Sequence, residues 1–449
     1  MSAGLQDKLS PGAMHACRIA AVLPQQGDQQ LFASVFASGT SVYWHSAQAA
    51  GCISGRVGKE GVVIPARAAG TPAQRLGELR HAGEVQSLAV RQLEEGRLML
   101  ATVDAYGRGT LSRIAIEQQQ AAPTSALADA AAADGGEPLL LQPAAGARVE
   151  EGGWAGVAFS RAGPLALAAA RGFARDVAVY EGAARVRTLR ASAQPYAIEF
   201  LPAGLAGGGA AALALAETHV VRAPGPASGP ALGLRASRRR GGAVSIWDVR
   251  AGERGGCVQR VAAAAPGSPL YALGWCEAQG GLLGAAGAER AVQMIDPRRW
   301  RCTDKWTGAT RQAVHHISFL ESNPLYVCAS GLDSEVVCGS WGKPPPPVAV
   351  RPYGTAAVHA AATAAAAEAP AAAAAAPRPP AADDEDGPRA GGGAFSFRGD
   401  ARWLGVTKAA GADVLAGLSA SGAVVYAQIA RGAAAGQPEG PGAAAGQAG

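Results

Sequence analysis

Residues 270–296 read LYALGWCEAQG, GLLGAAGAER, AVQMID. Each piece is a short apolar run closed by Gly or by charged and polar residues. Runs of that length, bounded that way, are the pattern of consecutive β-strands. Residues 314–341 repeat the order as VHHISFLESN, PLYVCASGLDS, EVVCGSW. Laying Ile295-Asp296 on Gly339-Ser340 gives a period of 44 residues, and laying Trp247-Asp248 on Ile295-Asp296 gives 48.

Working outward, weaker copies occupy residues 15–46, 83–116, 154–181, 196–250 and 400–429, making seven units with those at 270–296 and 314–341. Shorter runs between units, ARVRTLRA at 184–191, GCVQRVAA at 256–263 and RCTDKW at 301–306, supply a fourth, outer strand. Four short strands every 40–50 residues is the pattern of a propeller blade. One small sheet cannot bury both faces alone, so blades stack around an axis and close into a ring. The reading is all-β: one seven-bladed β-propeller over residues 3–430 with disordered Ala/Gly/Pro-rich insertions. The tail at 431–449 is too rich in Gly and Pro to be a strand, so a piece of residues 3–13 is expected to close the last blade.

Three segments break the repeat. Residues 117–150 are polar and Ala-rich, 222–242 form an Arg/Gly/Pro loop, and 343–393 hold KPPPP, an Ala/Pro tract and the acidic run Asp383, Asp384, Glu385, Asp386. Such composition disfavours a packed core, and all three are expected to be flexible excursions.

Composition narrows the function. The 449 residues carry net charge +5, and 61 are Gly, roughly twice the usual share. An apolar fraction of 49% supports a real core. No run is long and apolar enough for a membrane helix, and the first residues lack the pattern of a secretory leader. The seven cysteines form no CxxC pair, which argues against a disulfide framework or a zinc finger and for a reducing compartment, cytoplasmic or nuclear. The basic run Arg238–Arg240 is short and reads as a solvated loop.

No catalytic constellation emerges. GLSASG at 417–422 lacks nucleophile-elbow spacing, and Gly58-Lys59 is followed by Glu60, not by the Ser or Thr of a phosphate loop. His315 and His316 are adjacent, so on a strand they face opposite ways and do not share one ion. The 24 aromatic residues sit at core-like strand positions. The chain is therefore expected to be no enzyme, with no cofactor, metal or small-molecule substrate.

VSIWDVR, with Trp247 and Asp248 closing a strand, resembles a WD-repeat protein. GLDSEVVCGSW, with Asp333 in the turn before a strand, resembles the same family, as does Arg-His-Ala-Gly at 80–83. The resemblance implies a structural hydrogen-bonded network, carried here by His81, Asp104, Asp333 and Trp247. It also implies a scaffold that binds other proteins. Trp247-Asp248-Val249-Arg250 is similar to the box by which some family members dock, as substrate receptors, on the adaptor of a cullin–RING ubiquitin ligase. Trp247, Asp248 and Arg250 are then the candidate protein-binding residues, although Gly241 stands where the box has an Asp. A role in RNA processing or ribosome biogenesis is a third reading, but nucleic acid is the less expected partner.

Overall fold

In the computed structural model, the described residues are 17–22, 25–26, 29–48, 62–63, 73–93, 97–115, 139–141, 152–161, 166–202, 205, 212–218, 242–250, 256–277, 281–307, 310–321, 323–341 and 393–429. They form seven antiparallel sheets and no helix: six of four strands, one of five. The protein is a seven-bladed β-propeller. No helix among the described residues is long and apolar enough to cross a membrane.

The innermost strands, in blade order, are Ile19–Val22, Val85–Gln92, Ala155–Phe159, Gln194–Leu201, Leu270–Cys276, His316–Phe319 and Trp403–Lys408. The chain then runs outward, strand by strand, so one end of the ring carries the turns between second and third strands together with the connectors between blades. We call this the upper end. Strand periodicity explains the stacking. In the second strand of blade four, Ala212–Thr218, Leu213 and Leu215 face blade three while Ala212, Ala214 and Ala216 face blade five. Both faces of such a strand are buried, so it reads as an unbroken apolar run rather than an alternating one. Each of the seven interfaces between adjacent blades holds its own apolar cluster.

Close packing between blades requires glycine at two positions. A Cβ on Gly274 would lie 2.9 Å from the Ile317 carbonyl oxygen, and one on Gly284 would lie 2.9 Å from the Phe319 ring. Blades five and six approach too closely for larger side chains at these positions.

Three expectations are corrected. First, the strand on Val424–Ile429 is Val62–Val63, with Ile429 opposite Val62 and Gln428 opposite Val63. It comes from between the third and fourth strands of blade one; residues 3–13 lie outside the described residues. Second, 117–150 is not wholly an excursion. Leu139–Leu140 is the outer strand of blade two, and Leu141 is buried between blades two and three. The apolar LLL following the Ala tract has a sheet edge to pair with. Similarly, the 343–393 segment ends in the outer strand of blade six, Gly393–Arg398. Third, Cys328 and Cys338 form a disulfide. They face each other across one hairpin with Cα atoms 4.1 Å apart, a pairing that cysteine number and CxxC spacing do not disclose. Arg238–Arg240, Asp383–Asp386, Cys52 and 431–449 lie outside the described residues.

Candidate functional site: the axial channel and its upper mouth

The innermost strands surround a cavity of about 730 Å³. Its lower end is charged. Arg161 pairs with Glu277 and, at 3.1 Å, with Glu199. Lys408 pairs with Glu321 at 2.6 Å, and Arg91 donates to the Ser160 carbonyl. Burial pushes the Glu199 carboxyl up, opposed by Arg161. A carboxylate held by a guanidinium is poorly disposed to accept a substrate proton. Chemically, this end is a set of charges committed to one another.

The upper mouth is aromatic. Trp154, Tyr196, Tyr271 and His315 come from four successive blades and line the cavity. Trp154 and Tyr196 have ring centroids 6.1 Å apart. Tyr196 meets Tyr271 edge-on at 5.7 Å, and Tyr271 stacks on His315 at 4.8 Å. These separations suit attractive ring pairs. Tyr196, Tyr271 and His315 are only half-buried. The expectation that the aromatics are core residues holds for most of those described, Phe32, Trp44, Phe200, Trp247 and Tyr426 among them, but not for Tyr196 and Tyr271. A signal for the arc exists: YAIEF at 196–200, YALGW at 271–275 and HHISF at 315–319 place the three rings in register.

Of the residues singled out by sequence, His81 and Asp104 meet in blade two. His81 Nε2 lies 2.7 Å from Thr102 Oγ1, which lies 2.7 Å from Thr110 Oγ1. Asp104 accepts the N–H groups of Gly83 at 3.2 Å, Tyr106 at 3.0 Å and Arg108 at 2.9 Å. It thereby fixes both the turn and the connector from blade one. Burial lowers the His81 pKa, with Asp104 opposing. Asp333 lies in blade six, apart from these, and accepts the Glu335 N–H at 3.4 Å.

Trp247 is buried in blade four, and its Nε1–H donates to Ser245 Oγ at 2.8 Å. Asp248 accepts from Arg250: the backbone N–H at 2.9 Å, and Nε and a terminal nitrogen both at 3.2 Å. That hydrogen bonding holds Asp248 below the usual carboxylate range. Arg250 is exposed and fastened to its own turn.

Sequence reasoning missed Glu217. Fully buried, it accepts from Ser192 at 2.9 Å, from Ser245, and from Arg260 at 3.0 Å. It sits at the inner end of an apolar run, ALALAE, where no family motif marks it. Among the described residues, no group of His, Cys, Asp and Glu has the arrangement of a metal site.

No family model matches the chain, and no curated protein matches it.

Proposed function

We propose that this propeller is a non-catalytic scaffold that binds partner proteins at the upper mouth of its channel. The observation that supports the reading is the half-buried aromatic arc of Tyr196, Tyr271 and His315. Rigid rings with one apolar face and one polar handle are typical anchors of protein interfaces. The test is purification of the tagged protein from native lysate, beside a Tyr196→Ala/Tyr271→Ala variant. A stoichiometric set of proteins that the variant loses supports the reading. A set retained in full by a folded variant overturns the mouth as its site.

We read the chain as WD-repeat-like, on His81, which bonds Thr102, and on Asp104, which holds the Gly83 N–H of the same connector. A second reading is a substrate receptor of a cullin–RING ligase. Its support is the exposed turn at Asp248 and Arg250. Arg250→Ala would then remove the ligase adaptor from the recovered proteins; unchanged adaptor recovery rejects it.

A further inference from the structure

We infer that the upper mouth docks an acidic segment of a partner protein, with an apolar side chain seated against the aromatic arc. This inference rests on the scaffold reading and names the partner's chemistry. Arg175 and Arg290 occupy one equivalent place in blades three and five, where blade two has Gly107, and Arg108 follows that glycine in the same turn of blade two. Arg311 and Arg402 stand on the connectors into blades six and seven. Turns and connectors share the upper end, so these five side chains surround one opening. All five are exposed. None is paired with a carboxylate among the described residues.

The acids of the same end are otherwise engaged. Glu84 pairs with Arg18, Asp176 with Arg171 and Glu289 with Lys305. Asp104 caps its turn, and Asp400 is the only exposed acid among the described residues of these turns and connectors. The surplus is therefore cationic. It is contributed wholly by guanidinium groups, which match carboxylates in paired hydrogen bonds.

Two of these arginines hold unusual backbone. Arg175 has φ 55° and Arg290 φ 57°. Glycine adopts that conformation without the steric cost an arginine meets there. The fold alone favours Gly at both places, so the recurrence of Arg points to the side chain's use outside the turn.

The arginines connect to the arc through aromatic surface. Tyr106, in the turn of Arg108, lies over Gly152, where a Cβ would approach its ring to 3.3 Å. Phe173, in the turn of Arg175, lies over Gly153, where a Cβ would come within 3.2 Å. These two glycines lead directly into Trp154. The ring faces argue for peptide over single-stranded nucleic acid. Tyr271 and His315 are stacked on each other and Tyr196 is edge-on to Tyr271, so one face of each stacked ring is already taken, which leaves room for a single apolar side chain but not for a run of stacked bases.

The test exploits the strained backbone. Arg175→Gly/Arg290→Gly removes two charges and relieves both turns, so the variant keeps or raises the melting temperature. The probe is a fluorescein-labelled Glu/Asp-rich peptide with one central Leu, read by anisotropy at low and physiological salt; an oligouridylate and a Lys-rich peptide are run beside it. The expected result is binding of the acidic peptide, weakened about tenfold or more in the folded variant and also by added salt. Equal affinity of variant and parent overturns the inference, as does no binding of the acidic peptide at low salt. Binding of oligouridylate in preference to the peptide overturns it in favour of nucleic acid. Failure here is separable from failure of the scaffold reading. Partners from lysate lost by Tyr196→Ala/Tyr271→Ala but retained by Arg175→Gly/Arg290→Gly leave the scaffold standing and remove the acidic partner.

Discussion

The hydroxyl of Tyr426, in blade seven, lies 3.0 Å from Nδ1 of His45, in blade one, 381 positions earlier in the chain. The same hydroxyl donates to the His45 carbonyl at 3.2 Å and lies 2.8 Å from Ser34 Oγ. Phe32 stacks beside it at 5.9 Å. First and last blades are thus joined by a buried polar contact set in apolar packing. Tyr426→Phe keeps the ring and removes the hydroxyl, leaving Ser34 and His45 without it. A loss of about 1–2 kcal/mol is expected, read as a lower urea midpoint at unchanged slope. An unchanged midpoint would show that the hydroxyl contributes nothing to closure.

Acid should loosen the ring through His45, His81 and His316. Burial lowers the pKa of His45 and His81, and that of His316 to about 4. The unfolded chain takes up these protons near pH 6.5, the folded chain only at lower pH, so between those values the unfolded state binds more protons. The histidines' stabilising contribution is complete above about pH 6.5 and is lost as pH falls toward 4. The melting temperature of the parent should fall from about pH 6.5 to about pH 5, above the range where ordinary carboxylates titrate. His316→Gln should flatten that slope. A parent melting temperature that is constant across the window contradicts the prediction.

Glu217→Ala should be among the costliest single changes in blade four. It leaves Ser192, Ser245 and the partly buried Arg260 without their common acceptor. Breaking a buried pair from one side costs about 3–5 kcal/mol. Thermal unfolding should show a large drop. A shift no larger than that of an exposed Glu→Ala change, such as Glu277→Ala, would contradict it.

Peptide mapping without reduction should recover Cys328 and Cys338 in one cross-linked fragment. The bridge closes a loop with a sequence separation of 10, which in the chain-entropy account stabilises by about 2–3 kcal/mol. Cys328→Ala/Cys338→Ala should melt lower by a corresponding amount. Recovery of both cysteines as free thiols from protein alkylated under native, non-reducing conditions would reject the bridge.

Much of the ring was legible because the repeat is physical. Leu270–Cys276, Leu282–Gly287 and Val292–Asp296 are separated by turns that any reading of LYALGWCEAQGGLLGAAGAERAVQMID finds. What escaped is where pairing is decided at a distance. Val62–Val63 is too short to stand out as a strand, and only the open edge of Val424–Ile429 gives it a role. Leu139–Leu140 was hidden by the Ala-rich tract before it. His81 and Asp104 carried a recognisable motif, whereas Glu217 had only an apolar run around it. Tyr196 and Tyr271 look like core positions in the sequence because a strand pattern does not tell which residue of an innermost strand meets the axis.

The short pairing of Val62–Val63 with Val424–Ile429 also sets an order in time. A ribosome delivers blade one first and blade seven last, and the two halves of this pairing come from those two blades. Blades one to six can assemble against one another as they emerge, each finding its neighbour already made. The final interface cannot: its outer strand is made with blade one, and its partner does not exist until blade seven is made. The ring is thus locked by a pairing between the first-made and the last-made of its blades.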